Sequence, residues 1–343
     1  MRQPLEIPAA WRGEELLRRD DWSRQLTEQD LDELRGATAR SASVEVPVEQ
    51  LQPEDFPLGQ LATKLAAIQR DLEMGSGACL LRGLPIGQFA DDSADGDESL
   101  RRLFWGLTTH LGTAVSQSAH GERIFSVRDE GFKVGQPQAR GPNTNKRLSF
   151  HTDRCDVIAF LCVKPAKSGG ENQLVSSVAV YNEMLSRRPD LVDVLMQPFY
   201  YRRHNVDTGN QQPWCRQPIF SFHEGHFACS YLRVLIDRAY AMPELPDLTA
   251  QQREAMDYLE ELAGQPQMHV AFYLEPGDML FLNNWVTLHR RSEFEDYDEP
   301  AQRRHLLRIW LSVPNSRPLH PDFAANFGAT AAGAVRGGMR PGD

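Results

Sequence analysis

Two residues of the segment Leu148-Ser-Phe-His-Thr-Asp-Arg-Cys155 could share one metal ion. In an extended chain, side chains at i and i+2 point to the same side. His151 and Asp153 therefore present an imidazole and a carboxylate together. A His-x-Asp pair alone also fits a buried hydrogen-bonded pair. Far downstream, Pro276-Gly-Asp-Met-Leu-Phe-Leu-Asn-Asn-Trp-Val-Thr-Leu-His289 places a second histidine just beyond an apolar strand. Two histidines and one carboxylate on one face of an ion leave open coordination positions, as oxygen-activating Fe(II) sites require. Zinc takes the same ligand types, so the three residues leave the metal open between iron and zinc.

A third group of residues bears on that choice. In Arg303-Arg-His-Leu-Leu-Arg-Ile-Trp-Leu311, a strand would put Arg304, Leu306 and Arg308 on one face. Guanidinium groups inside a pocket are costly unless each meets an anion. A planar guanidinium forks onto a carboxylate with two charge-assisted hydrogen bonds. A dicarboxylate co-substrate and an anionic substrate would satisfy both arginines. A zinc hydrolase would need a nearby general base and no such pair. A non-catalytic β-sandwich binding module would have little reason to keep three ligands and two arginines.

The elements that must hold these residues can be read from patterning. Residues 10–40 read as helical, with Thr27 as a cap and Gly36 as a stop. Further helices are expected over Leu61–Met74, Leu100–Leu111, Ser177–Arg188, Pro189–Met196 and Thr249–Ala263. Strands are expected at Ala78–Arg82, around Phe125–Arg128, and at Asp156–Val163, Gln173–Val175, Phe199–Arg203 and Pro218–Phe222. Others are expected at Val270–Leu274, Met279–Leu282 and His305–Val313. Glu224-Gly225 reads as the turn of a hairpin. The segment Glu130–Arg147 is rich in Gly and Pro and reads as a long loop that lids the site. Ser116, Gln117 and Arg128 are candidate substrate contacts nearby. Helices mainly before the strands suggest an antiparallel β core with helical cover, a barrel or jelly-roll sandwich with a mouth for a ligand.

Bulk properties set the class of partner. The chain has 343 residues and a net charge of −10. An acidic surface argues against nucleic acid or an anionic membrane as partner, though a pocket can be basic within it. No apolar run approaches the roughly 20 residues of a membrane span, and Met1–Asp20 has no apolar signal core. Five cysteines without metal or redox spacing read as reduced, buried thiols of a soluble, cytoplasmic protein. His223-Glu-Gly-His226 lacks the spacing of a metalloprotease helix. Tyr200-Tyr-Arg-Arg-His204 is too short a basic patch to indicate nucleic acid. Arg202 and Arg233 are further candidates to reach a substrate pocket. Trp285 and Trp310 read as core. The oligomeric state has no signature in the sequence.

Taken together, the residues resemble the taurine dioxygenase/TfdA-type branch of the Fe(II)/2-oxoglutarate-dependent oxygenases, near its clavaminate synthase-like members. The resemblance spans roughly Gly112–Val313. It rests on Phe150-His-Thr-Asp153, on Lys167-Ser-Gly-Gly170 with Ser176-Ser-Val-Ala-Val180, on Asn283-Asn284 with His289, and on Arg304-His-Leu-Leu-Arg308. It implies His151, Asp153 and His289 as iron ligands, with 2-oxoglutarate and O2 as co-substrates. It implies Arg304 as the clamp for the distal carboxylate of 2-oxoglutarate and Arg308 as the residue for an acidic substrate group, with the two roles open to exchange. Asn172 stands where many members carry Thr or Ser against 2-oxoglutarate. The implied fold is mainly β with flanking helices, a cupin-like double-stranded β-helix. On that reading residues 1–327 form a single catalytic domain: a helical part, 1–111, packs on a β-helix core, 112–313. Residues 328–343 form a disordered tail. The implied reaction is hydroxylation of a small carboxylate-bearing metabolite such as an amino acid, with release of succinate and CO2. Related halogenases replace the carboxylate ligand with Ala or Gly, so Asp153 favours hydroxylation. Desaturation, cyclisation and epimerisation use the same cofactors.

Overall fold

A computed structural model describes residues 2–90, 97–118, 120–132, 141–204 and 207–340. Its largest sheet has seven strands. Along the sheet lie Ser23–Gln25, Ala78–Arg82, Met279–Asn283, Val157–Lys164, His305–Ser312 and Thr113–Val115. Ile124–Val127 pairs with the other end of His305–Ser312. A second sheet of three strands orders His269–Phe272, Asn172–Ser176 and Thr287–Arg291. Three two-stranded ribbons complete the strands of the described residues.

Each face of the main sheet has its own core. Leu307, Ile309 and Leu311 point one way, with Leu161 and Phe281. They pack on three helices, Glu28–Ala42, Gln60–Met74 and Glu98–Thr109, through Leu34, Leu65, Ile68 and Phe104. Leu306 and Trp310 point the other way, with Ile158, Cys162 and Leu280, toward Leu174 and Val270 of the second sheet. The outer side of the second sheet is covered by the helices Ser177–Arg187, Pro189–Leu195 and Ala250–Gly264. Strands buried on both faces read as continuous apolar runs, and all eight residues of His305–Ser312 are buried.

This architecture corrects the expected mainly-β, cupin-like double-stranded β-helix. The fold is mixed α/β. More described residues lie in α-helix than in strand, and among the described residues no sheet closes on itself. Helices cover the faces that closure would otherwise hide. Short terminal strands of three residues, Ser23–Gln25 and Thr113–Val115, limit the exposed edges. Two of the seven strands of the main sheet come from before residue 112, so that part of the chain helps build the sheet as well as cover it.

Two local expectations also change. Gly36 does not stop its helix, which runs Glu28–Ala42; no neighbour crowds that position, so the helix passes through it. The Thr27–Asp30 capping box does form. The tail expected to be disordered packs as far as Arg340. Arg336 and Met339 are buried, and Arg336 Nε donates to Asp156 Oδ1 at 2.7 Å. The predicted lid lies partly outside the described residues, at 133–140. The Glu224-Gly225 turn is confirmed, with φ of 47° and 80° as a tight hairpin requires.

Candidate functional site

The site forms where His151 meets the strand Thr287–Arg291. His151 N donates to His289 O and His289 N to His151 O, each at 3.0 Å. This isolated antiparallel bridge stacks the rings 4.4 Å apart, centroid to centroid. His289 therefore sits on a strand of its own, paired with Leu174, and not merely beyond the preceding one. Asp153 is held by Asn284, whose Oδ1 accepts from the Asp153 amide at 2.9 Å.

The ligating atoms of His151, Asp153 and His289 lie within 4.8 Å of one another, the one such His/Cys/Asp/Glu group among the described residues. His151 Nδ1 faces Ser149 O at 2.8 Å. As donor in that bond, it leaves Nε2 as a lone-pair ligand. Burial, and then the neighbouring His151, push His289 down to about 3. Its imidazole is thus neutral at physiological pH, as metal binding demands. Burial opposes the charge on Asp153, but the Arg308 cation above all, with the Trp310 indole N–H, outweighs it and holds the carboxyl below its ordinary range. Two imidazoles and one carboxylate fit an Fe(II) ion with positions to spare.

The arginine strand supplies the surroundings. Arg308 is buried, with Nη1 3.5 Å from Asp153 Oδ2. Trp310, two residues on and on the same face, donates its indole N–H to the same oxygen at 3.1 Å. The sequence reading placed Trp310 in the core. It lies there and also touches a ligand, which the period of two from Arg308 could have revealed. Gln117 is fully buried. Its Oε1 accepts from Arg308 Nε at 2.7 Å and its Nε2 donates to Arg308 O at 2.9 Å. Arg308 Nη2 and Arg304 Nη1 are both buried without a protein partner. Burial draws Arg304 down to about 10, still a cation at neutral pH.

Arg304 lines a cavity of about 390 Å³ with Asn172, Gly169, Gly170, Tyr273 and Leu306. Phe294 lies beneath its guanidinium, 5.1 Å from the ring centre. Asn172 and Arg304 thus line one cavity, while the three ligand residues lie outside that lining. The unpartnered N–H groups of Arg304 and Arg308 suit the carboxylates of an acid such as 2-oxoglutarate.

Other expected contacts fall elsewhere. Ser116 Oγ donates to Ser118 O at 2.9 Å, and its carbonyl accepts from Met339 N at 2.8 Å. Arg128 pairs with Asp97 at 2.6 Å and lies 3.1 Å from His305 Nδ1. Arg233 pairs with Asp237 and Asp257. Arg202, Arg203 and His204 do approach the site. With Asp153, Arg154 and Trp310 they line a second, narrow cleft. Arg154 was missed, although it follows a ligand directly in sequence.

A family model described as taurine catabolism dioxygenase TauD, TfdA family matches residues 45–310. The chain is 32% identical over 341 residues to FR-33289 synthase of Streptomyces rubellomurinus (strain ATCC 31215), covering 97% of each. It is 27% identical over 258 residues to uridine-5'-phosphate dioxygenase of a Streptomyces species, covering 66% of this chain and 90% of that one. Among solved structures, asparagine oxygenase in complex with Fe(II), 2S,3S-3-hydroxyasparagine and succinate superposes with a TM-score of 0.64. That match is 20% identical and covers 91% of this chain and 99% of the other, a likeness of fold.

Proposed function

The chain belongs to the taurine catabolism dioxygenase TauD, TfdA family and is an Fe(II)/2-oxoglutarate-dependent oxygenase, and from that premise we propose that it hydroxylates a small acidic metabolite such as an amino acid or derivative. The observation that carries this reading is a pair of buried guanidiniums, Arg308 on the strand His305–Ser312 and Arg304 directly before it. Arg304 and Arg308 each keep an unpartnered N–H, and Arg308 lies against the Asp153 carboxylate. Buried cations with spare donors call for anions. The relatives named for uridine-5'-phosphate and for 3-hydroxyasparagine act on or hold small charged molecules.

In this mechanism His151, Asp153 and His289 hold Fe(II). Bound Fe(II) and 2-oxoglutarate together supply the oxidising chemistry, with dioxygen consumed and succinate and CO2 released. Arg304 binds the distal carboxylate of 2-oxoglutarate at the cavity it shares with Asn172. Arg308 orients the acidic group of the substrate beside Asp153, and Gln117 fixes the Arg308 side chain from behind. Phe160 and Trp310 wall the space around these groups and exclude water. Trp310 N–H keeps Asp153 charged and oriented.

Asp153→Ala removes the one carboxylate of the trio and should abolish substrate-dependent succinate release. Wild-type turnover by that variant would overturn the assignment. A screen of small acids for stimulated succinate release identifies the substrate; a substrate lacking any anionic group would refute this reading.

A further inference from the structure

A further buried guanidinium lies close to Arg304 and has no part in the proposed reaction. Arg291 ends the strand Thr287–Arg291, and period-two alternation puts it on the same side as His289. Its side chain is buried. Nη2 donates to Thr144 O at 2.9 Å and to Lys146 O at 2.5 Å, and Nε donates to Ser292 O at 3.2 Å. Main-chain bonds run alongside. Leu148 N donates to Arg291 O at 3.0 Å and Phe294 N to Asn145 O at 3.1 Å. Residues 144–148 thus form a strap stitched to Arg291 and Phe294, and the strap leads directly into His151.

The ring of Phe294 connects this strap to Arg304. The guanidinium carbon of Arg291 lies 4.6 Å from the ring centre, and that of Arg304 5.1 Å. Two cations therefore share one aromatic ring in a buried place. Among the described residues neither forms an ion pair with a carboxylate. Arg291 meets carbonyl oxygens, and Arg304 Nη1 meets no partner. Like charges repel most where water is excluded, and an uncompensated buried cation is costly. Release of the strap would let Arg291 turn toward water and relieve both costs. An anion on Arg304 removes that reason to open.

We infer that Arg291 is a positioning residue: a carboxylate bound at Arg304 fastens the strap 144–148 through Phe294 and Arg291, and so fixes the chain that enters His151. The inference rests on the reading above that Arg304 takes the distal carboxylate of 2-oxoglutarate. By linkage, the fastened strap holds the dicarboxylate more tightly than the released one, by the factor by which the dicarboxylate favours fastening. A 2-oxo acid without a second carboxylate leaves Arg304 without its anion and lacks the effect.

The test uses the full chain, loaded anaerobically with Fe(II), and reads hydrogen exchange at the Leu148 and Phe294 amides. Two acids are compared, each at a concentration shown by calorimetry to saturate. One is 2-oxoglutarate; the other is 2-oxopentanoate, which has the same five carbons and no second carboxylate. 2-Oxoglutarate should slow exchange at both amides at least about fivefold, and 2-oxopentanoate should leave it unchanged. In Arg291→Met the slowing should vanish, and the KM for 2-oxoglutarate should rise about tenfold with a much smaller fall in kcat. Arg291→Lys keeps the charge and part of the carbonyl bonding, and should restore part of the slowing. Equal slowing by the two acids, slowing by neither, or full slowing in Arg291→Met overturns the inference. The comparison of the two acids in the wild type decides the matter whether or not the variants fold. Failure of the wild type to bind Fe(II) and 2-oxoglutarate would instead undo the functional reading.

Discussion

At the scale of single residues, the roles of two neighbours of the ligands separate cleanly. Arg304 faces the cavity shared with Asn172, whereas Gln117 bonds to Arg308 and to the Arg123 carbonyl. Removing a charge-assisted hydrogen bond costs about 1.5–3 kcal/mol. Arg304→Gln should therefore raise the KM for 2-oxoglutarate roughly ten- to a hundredfold, with the substrate KM little changed. Gln117→Leu should do the reverse, loosening Arg308 and raising the substrate KM by about tenfold. Steady-state kinetics with each component varied in turn would show the split; a uniform fall in kcat for both would refute it. Much of this was legible in the sequence. Period-two alternation put His151 and Asp153 on one side of the chain, and the family resemblance joined His289 to them; the backbone bridge that brings 151 to 289 has no local signature. The pairing of Arg128 with Asp97 was not legible, because a side chain's partner on another element leaves no trace in local spacing. Trp310 and Arg154 were underrated because each follows a recognised residue closely and was assigned to packing or to no role.

Among elements, the segment from Asp153 to Asp156 depends on the end of the chain. Asp156 accepts from Trp285 Nε1 at 2.9 Å, from Arg336 Nε at 2.7 Å and from Ser312 Oγ at 3.2 Å. One buried carboxylate thus ties three separate stretches together. Breaking a buried pair from one side costs about 3–5 kcal/mol. Asp156→Ala should lower stability by that amount in denaturant unfolding. Adding Arg336→Met should recover part of the loss, because the stranded cation is gone. Purely additive losses would show that the pair is not coupled. The sequence hid this element. A Gly/Ala-rich stretch carries no periodic apolar signal, and its order comes from one arginine and from glycines that permit close backbone approach. Helices and central strands were readable because their apolar spacing repeats. The closure of the sheets was not, because a strand covered by helices and a strand covered by another sheet show the same buried run.

For the molecule as a whole, acid sensitivity should trace in part to His305. It lies on the helix-facing side of its strand, among Arg128, Lys164, Arg101, Arg304 and the carboxylate of Asp97. Burial, then Arg128, push it down to about 3. The unfolded chain binds a proton near pH 6.5 that the folded chain refuses, so stability is lost as pH falls from about 6.5 toward 3. Replacing it by Gln should flatten the melting temperature between pH 7 and 5; an unchanged slope would place the sensitivity elsewhere. No described helix is long and apolar enough to cross a membrane.

The backbone bridge between His151 and His289 has its own consequence. Two of the three ligands are stapled to each other by main-chain hydrogen bonds that owe nothing to a metal. The apoprotein should therefore keep its receptacle, unlike domains that fold only around their ion. Chelation should leave amide-hydrogen exchange at residues 151 and 289 slow, and reloading should need no refolding. Rapid exchange at both amides on chelation would show instead that the ion builds its own cradle.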